Sequence, residues 1–432
     1  MLSACGGSAG AQSIGLWSAP AGDQLSVQLP SGATVSGYAA PAFRPVFDEF
    51  VRNFTERNEV GASVAATYKG TPVLEAWGGF SDTNAATPSK PWERNTVAIV
   101  FSSTKGATAM CAHLLAARGQ LDLDARVTRY WPEFGANGKQ DVTVRMLLDH
   151  SVGVPVLRDP VPAKGWADWS YMVGRVAAEA PWWTPGADHG YHAVTYGWLV
   201  GEVVRRVSGV SLGTYFAREI AQPLGLDFHI GAPPAVHARV SPLKLSTDPA
   251  TDEFTRATAD PASIQALVFN MGDYIASIDT PQMYEAELPA INGLTGAQGL
   301  AGMYAVMANN GGVGGTQFFS REYVQRMGWV QSASHRDRVL LIRSRFGLGF
   351  WNSMDNRNLP GESMSFLVGR DAFGHPGFGG SFGFADPQAQ LSMGYVMNRM
   401  GGGIALNTRG QSLVDAAYRA LGYASNQYGF WA

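Results

Sequence analysis

The sequence predicts a discontinuous α/β domain that is interrupted by a mainly helical one. Two β-prone runs, 63–68 and 73–77, occur early in the chain, and two more, 380–385 and 391–398, occur near its end. Residues 95–310 between them show mostly helical periodicity, with long loops. Strands at both ends with helices between them are typical of one sheet domain that carries a helical insertion.

Helices and a turn complete the predicted sheet domain. Apolar side chains recur at helical spacing over residues 42–58, which predicts an amphipathic helix before the first strand. Gly70 in the stretch 69–72 suits the turn of a hairpin between the first two strands. Residues 412–421 repeat the helical spacing and predict a helix that closes the chain.

The predicted domain limits follow from these elements. Residues 1–40 are rich in Gly, Ala and Ser and are expected to form a flexible or extended N-terminal segment. Residues 41–101 and 311–432 are assigned to the discontinuous α/β domain, and residues 102–310 to the mainly helical domain. The length of 432 residues suits this division, at roughly 100 to 200 residues per unit.

Composition excludes several classes of protein. Hydrophobic residues make up 46% of the chain and charged residues 16%, which indicates a globular protein. The formal net charge is -3 without blocks of like charge, so electrostatic capture of nucleic acid is not expected. The sequence contains no run of about 18 apolar residues, so it predicts no stable membrane span. Two cysteines, Cys5 and Cys111, are too few for a thiolate metal site. The composition is also compatible with a homo-oligomer.

The first residues of the sequence give an indication of the cellular compartment. Leu2-Ser3-Ala4-Cys5 matches the pattern that ends in a bacterial lipoprotein cysteine. No basic start and no apolar stretch of about 7 to 15 residues precedes Cys5, however. The sequence therefore favours a cytoplasmic protein, with lipoprotein anchoring or periplasmic export as the alternatives.

Ser102 and Lys105 carry the strongest chemical signal. They occur in Ser102-Ser103-Thr104-Lys105, directly after the apolar run 97–101 and at the start of a predicted helix. Residues three apart on a helix share a face, so the amine lies beside the hydroxyl, and the helix N-terminus favours negative charge on that oxygen. Lys105 accepts a proton only if burial or a nearby cation lowers its pKa. The alternative is a capped helix with a solvated lysine.

Three competing sites fit their surroundings less well. The pattern Gly-x-Ser-x-Gly, the nucleophile elbow of α/β hydrolases, occurs around Ser8 and Ser381. That elbow needs a strand before the serine and a helix after it, whereas Ser8 lies in the N-terminal segment and Ser381 begins a strand. His189 and His192 could suggest a metal pair, but no third ligand follows at a recognisable spacing, so no metal site is expected.

The order of motifs from Ser102 onward resembles the serine β-lactamase and penicillin-binding-protein superfamily, in particular class C β-lactamases and family VIII carboxylesterases. The stretches 119–127, 130–134 and 146–155 are similar to the segments that follow the nucleophile helix in those proteins. The resemblance covers about residues 42–422. It implies a β-lactamase-like fold, with an antiparallel sheet flanked by helices and an inserted helical domain, and an acyl-enzyme formed on Ser102.

The second motif of the superfamily, Tyr-x-Asn, corresponds here to Tyr191-His192-Ala193. The resemblance implies that the Tyr191 phenol lies against the nucleophile and shares proton transfer with Lys105 as a second base, since a nearby ammonium lowers the pKa of a phenol. Ala193 stands where the asparagine amide would be. Without the resemblance, Tyr191 would be interpreted as a residue packed near the start of a helix.

The third motif, Lys-Thr-Gly, corresponds here to His375-Pro376-Gly377, followed by Phe378. Gly377 lets the backbone approach a bound acyl group, and the resemblance implies that the N–H groups of Phe378 and Ser102 form an oxyanion hole. His375 replaces the lysine and is expected to be largely neutral at about pH 7. A loop histidine bonded to backbone carbonyls is the alternative interpretation of His375.

These departures favour esters over β-lactams. Ala193 lacks an amide donor and His375 lacks a fixed positive charge, so an anionic lactam loses two anchors that an uncharged ester does not need. We count Trp183 among the candidate substrate-binding residues. The tryptophans of the long loop are expected to form an apolar wall near Tyr191, or else to belong to the core: Trp166, Trp169, Trp182 and Trp183.

The sequence thus predicts a serine carboxylesterase that hydrolyses short-chain esters through an acyl-enzyme, with weak β-lactam hydrolysis as a side activity. The alternatives are a β-lactamase, a D-aminopeptidase-like amidase or an acyltransferase of the same fold. A non-catalytic penicillin-binding-like protein is less favoured, because Ser102, Lys105 and Tyr191 are all present. The chemistry uses a small-molecule ester and is expected to need no cofactor and no metal.

Overall fold

The computed structural model describes residues 15–17, 24–83, 87–246, 253–269, 273–359 and 364–432. Cys5 and Ser8 lie outside the described residues. The strands, numbered along the chain, are β1 Gln24–Gln28, β2 Thr34–Ala39, β3 Gly61–Tyr68, β4 Thr71–Gly79, β5 Ala98–Ile99, β6 Phe228–His229, β7 Leu294–Thr295, β8 Gly312–Val313, β9 Thr316–Gln317, β10 Ser332–Ser334, β11 Ser344–Phe346, β12 Trp351–Asn352, β13 Phe373–Pro376, β14 Phe382–Asp386 and β15 Leu391–Met397.

The α-helices, numbered in the same way, are α1 Arg44–Glu56, α2 Thr104–Ala117, α3 Val144–Leu148, α4 Trp169–Ala178, α5 Tyr196–Ser208, α6 Leu212–Phe216, α7 Gln222–Leu224, α8 Pro234–His237, α9 Glu253–Ala257, α10 Ile264–Phe269, α11 Asp273–Ser277, α12 Pro281–Glu285, α13 Ala297–Ala308, α14 Arg321–Gly328 and α15 Thr408–Ala420. In the ranges that the structure describes, no helix is long and apolar enough to cross a membrane.

Ten of the described strands form one antiparallel sheet, in the order β1-β2-β4-β3-β15-β14-β13-β12-β11-β10. An early and a late segment of the chain are neighbours in this sheet, because β3 pairs with β15 from Ala62 opposite Met397 to Tyr68 opposite Leu391. The expected hairpin is the pair β3 and β4. The strands β1 and β2 extend this sheet, so a part of the expected N-terminal segment 1–40 is integrated into the sheet domain.

Helices cover both faces of the sheet. Phe382 and Gly383 are neighbours in β14, so they face opposite sides. On one side, α13 lies directly on the strands because Gly383 and its cross-strand partner Gly394 carry no side chains; a Cβ on Gly394 would lie 2.5 Å from the carbonyl oxygen of Ala297. On the other side, the Phe382 ring packs beside Gly410 of α15, and α15 contacts α1.

The helix α2 belongs to the helical region and is buried over most of its length. It contacts α5 and α6, and Gly119, with φ of +71°, follows its end. One element departs from the expected domain limits: α13 lies inside the range 102–310 but packs against the large sheet. Its small residues permit this close packing, a tertiary effect that helical periodicity does not reveal.

Candidate active site

Ser102 lies where β5 turns into α2. Phe101–Ser103 form a short 3₁₀ turn that leads into the helix. Phe101 has φ of +41°, in the left-handed region that bulky residues rarely adopt. A residue keeps such a conformation only when neighbouring contacts stabilise it. Here Thr104 Oγ1 donates a hydrogen bond to the Phe101 carbonyl oxygen at 2.6 Å. Only 9% of Ser102 is exposed.

Lys105 is fully buried beside Ser102. Its Nζ lies 3.0 Å from Ser102 Oγ, 2.6 Å from the carbonyl oxygen of Ala193 and 3.0 Å from that of Ala290. Burial lowers the pKa of the Lys105 amine well below its usual range, because desolvation penalises the charged form. A neutral amine has two N–H groups and one lone pair. The two carbonyl oxygens can accept both N–H groups, which leaves the lone pair for the proton of Ser102.

The Tyr191 phenol is hydrogen-bonded to Ser102. Its ring centre lies 5.0 Å from the Nζ of Lys105. Burial raises the pKa of Tyr191 above its usual range, so the phenol stays protonated at neutral pH. This corrects the expectation that an ammonium lowers the pKa of Tyr191, because the ammonium is itself disfavoured at the buried Lys105. Tyr191 is therefore a neutral phenol hydrogen-bonded to Ser102 rather than a phenolate base.

His375 lies in β13, not in a loop. Its Nδ1 donates to the carbonyl oxygen of Pro376 at 2.7 Å, so its Nε2 carries a lone pair. That Nε2 is buried without a hydrogen-bond partner in the described part of the chain. Burial lowers the pKa of His375 well below its usual range, so the ring is neutral, as the sequence predicts. The ring centre lies 5.9 Å from that of Tyr191, within the same cluster of side chains.

The serine of the competing elbow, Ser381, has a structural role. Its Oγ donates to the carbonyl oxygen of Val100 at 2.9 Å and is fully buried. Ser103 Oγ similarly donates to the carbonyl oxygen of His375 at 3.2 Å. These two bonds attach residues 100–103, which include Ser102, to β13 and to the residue before β14.

Gly377 and Phe378 lie beside the nucleophile turn. A Cβ on Gly377 would overlap the carbonyl oxygen of Val100, so the close approach of the two backbones requires glycine there. The Phe378 ring packs edge-on against Phe101, with ring centres 5.6 Å apart. Phe378 is thus brought next to the residue that precedes Ser102.

His189 and His192 do not act as a metal pair. His192 Nδ1 donates to the carbonyl oxygen of Gly190 at 2.7 Å, and its Nε2 accepts the N–H of Val154 at 2.9 Å. Both ring nitrogens of His192 are therefore occupied, and burial lowers its pKa to about 3. His189 Nε2 lies 2.8 Å from Ser344 Oγ. Among the residues described, no group of three or more His, Cys, Asp or Glu side chains could hold a metal ion.

The loop tryptophans lie in different surroundings. Trp183 packs edge-on against His192, with ring centres 5.9 Å apart, and its Nε1 donates to the carbonyl oxygen of Ser151 at 3.2 Å. Trp183 thus contacts the segment that carries Tyr191. The other three contact separate partners: Arg158 for Trp182, Glu202 for Trp169 and Trp198 for Trp166.

Sequence reasoning missed three groups that hold the site together. Ala193 takes part through its carbonyl oxygen, not through the side chain that replaces asparagine, and Ala290 does the same. Every residue carries a carbonyl, so neither contact has a sequence signal. The third group is the buried carboxylate of Asp337, whose Oδ1 accepts the backbone N–H of Tyr191 at 3.1 Å.

This chain belongs to the beta-lactamase family, whose model matches residues 47–417. The chain is 34% identical over 378 residues to the Esterase/beta-lactamase LipL of Mycobacterium tuberculosis (strain ATCC 25618 / H37Rv), which covers 86% of this chain and 84% of LipL. The crystal structure of a family VIII carboxylesterase is 37% identical, with a TM-score of 0.76 over 89% of this chain and 99% of that one.

A penicillin-binding protein homologue from Caulobacter crescentus is also similar. It is 33% identical, with a TM-score of 0.78, and the match again covers 89% of this chain and 99% of the homologue. These similarities confirm the superfamily and the β-lactamase-like fold that the sequence predicts. They also place the chain among serine hydrolases.

The buried amine should make stability depend on pH in a defined direction. An unfolded lysine keeps its proton up to about pH 10.4, whereas the pKa of folded Lys105 lies well below that value. Between the two values the unfolded state holds more protons, so folding is favoured as the pH rises, by at most about 1.4 kcal/mol per pH unit. We expect the wild type to gain stability over this window relative to Lys105→Met, as measured by urea unfolding of both proteins. If the difference in unfolding free energy between the wild type and Lys105→Met did not change with pH, Lys105 would be charged in the folded protein.

Proposed function

We propose that this protein is a serine carboxylesterase that hydrolyses short-chain, uncharged esters through an acyl-enzyme on Ser102. The observation that carries this proposal is the buried amine of Lys105, 3.0 Å from Ser102 Oγ. Two similar proteins agree with an esterase activity by name: LipL, at 34% identity, and the family VIII carboxylesterase, at 37%.

In the acylation step, Ser102 Oγ attacks the carbonyl carbon of the ester while its proton moves to the neutral Lys105 Nζ. As the C–O bond of the alcohol breaks, the alcohol oxygen takes the proton of Tyr191, and Tyr191 recovers a proton from the Lys105 ammonium. The products of this step are a free alcohol and an ester of Ser102, and Lys105 returns to its neutral form.

In the deacylation step, a water molecule attacks the acyl carbon of the Ser102 ester. Its proton passes through Tyr191 to Lys105, and Ser102 leaves after it regains that proton. In both steps the negative charge of the tetrahedral intermediate would be met by the N–H groups of Ser102 and Phe378, and each such donor contributes roughly 2.7 to 4 kcal/mol. The rigid turn around Gly377 supports this role by holding Phe378 against Phe101.

The side chains at positions 193 and 375 favour esters over β-lactams as substrates. Ala193 presents a methyl group, and its carbonyl oxygen already accepts from Lys105. His375 is a buried, neutral imidazole, so it offers no positive charge to the carboxylate of a lactam. An uncharged ester does not need either anchor. An exchange of His375 for lysine would desolvate a second ammonium close to Lys105, so it would not simply restore the missing charge.

The nucleophile can be identified by covalent labelling. A fluorophosphonate should form one adduct with the wild type, at Ser102, and Ser102→Ala should abolish both the adduct and the turnover of p-nitrophenyl butyrate. The matched control is Ser381→Ala, which removes a serine that donates to Val100 and should still be labelled at Ser102. Mass spectrometry of the intact protein detects the adduct, and mass spectrometry of its peptides locates it. Label on Ser381, or full turnover by Ser102→Ala, would show that the proposed nucleophile is wrong.

Substrate preference can be measured with two chromogenic substrates. We expect kcat/KM for p-nitrophenyl butyrate to exceed that for nitrocefin at least about tenfold, because each lost charge-assisted hydrogen bond costs about 1.5 to 3 kcal/mol. Weak hydrolysis of nitrocefin is consistent with the proposal. If the lactam were hydrolysed as efficiently as the ester, the protein would be better described as a β-lactamase.

A further inference from the structure

Asp337 lies between β10 and β11 and is fully buried. Its Oδ1 accepts three backbone N–H groups: from Tyr191 at 3.1 Å, from Val339 at 2.8 Å and from Leu340 at 2.8 Å. Its Oδ2 has no hydrogen-bond partner within the described ranges, and His189 Nε2 lies 3.8 Å from it. A single oxygen thus joins the loop of Asp337 to the backbone of Tyr191.

The segment that carries Tyr191 has no regular secondary structure, so no strand ladder or helix fixes its position. Its consecutive N–H groups are bound individually instead. The N–H of Gly190 donates to the carbonyl oxygen of His150 at 3.2 Å, and the N–H of His192 donates to His150 Nδ1 at 3.2 Å. Between them, the N–H of Tyr191 donates to Asp337. His150 holds the two flanking residues, and Asp337 holds the residue whose phenol contacts Ser102.

A second anchor holds the same loop without contacting Tyr191. Gln265 of α10 donates from its Nε2 to the carbonyl oxygens of Arg338 and Val339, at 3.0 Å each. In the same loop, Leu341 has φ of +59°, a conformation that a branched side chain seldom adopts without such anchors. Gln265 therefore serves as a matched control for any effect that comes from loosening the loop alone.

We infer that Asp337 is a positioning residue for the reaction: its Oδ1 fixes the backbone of Tyr191, and so sets the phenol at hydrogen-bond distance from Ser102. This inference rests on the proposed role of Tyr191 in proton transfer. A displacement of about 1 Å at a reacting group can cost about a hundredfold in rate. Because the hydrogen bonds of the Asp337 carboxylate in the described residues all go to backbone N–H groups and none goes to Ser102, its loss should act on kcat and leave KM nearly unchanged.

The test compares Asp337→Ala, Asp337→Asn and Gln265→Ala with the wild type, using p-nitrophenyl butyrate kinetics and thermal unfolding. Asp337→Ala should lower kcat about 10- to 100-fold and change KM less than about threefold. Asp337→Asn keeps one carbonyl oxygen that can accept from Tyr191, so it should recover most of that loss. Gln265→Ala should lower the unfolding temperature but keep kcat within about threefold of the wild type.

Three results would overturn the inference: a kcat of Asp337→Ala within about threefold of the wild type, an equal loss of kcat in Gln265→Ala, or a loss that appears in KM alone. If Asp337→Ala does not fold, Asp337→Glu replaces it, since the longer side chain moves the oxygens and should also lower kcat. Ser102→Ala separates the two proposals. If it keeps turnover, the proposed function fails; if it is inactive and Asp337→Ala is not impaired, only the role of Asp337 fails.

Discussion

The burial of the Lys105 amine is the constraint on which the rest of the site depends. An amine removed from water must give its N–H groups to protein acceptors, because an unmet buried donor costs about 1 to 3 kcal/mol. Here Ala193 and Ala290 supply those acceptors as backbone carbonyls. Carbonyls satisfy the N–H groups without adding the negative charge that would hold the proton on the amine. The same contacts thus keep Lys105 in place and disfavour its charged form, as the proposed role of a base for Ser102 requires.

The fold brings these acceptors together from distant parts of the chain. Ala290 is followed by β7 and α13, and α13 lies against the large sheet where Gly383 and Gly394 leave room for it. Gly293 accepts the N–H of Val100 at 2.9 Å, and Val100 in turn accepts from Ser381. The sheet, α13 and the start of α2 therefore form one frame, in which a shift of any part would change the surroundings of Lys105.

The local features of the site and of the sheet could be predicted from the sequence. The spacing of Ser102 and Lys105 places two side chains on one helix face, and alternating or continuous apolar runs indicated the strands at both ends of the chain. The ionisation states were harder to predict, because they depend on burial: Tyr191 was expected to have a lowered pKa, but its surroundings raise it. Ala290 and Asp337 could not be found, since a carbonyl has no sequence signal and one aspartate in a loop resembles many others.

The ionisation state of Lys105 can be measured directly. The chain has six lysines, so labelling with lysine carrying ¹³C at Cε gives a simple NMR spectrum, and the Lys105 signal is the one absent from Lys105→Met. The Cε shift followed against pH reports the protonation of each amine. The Lys105 signal should titrate with a midpoint well below that of a solvated lysine at about 10.4, because burial disfavours the charged amine. A Lys105 signal that titrates near 10.4 would contradict this prediction.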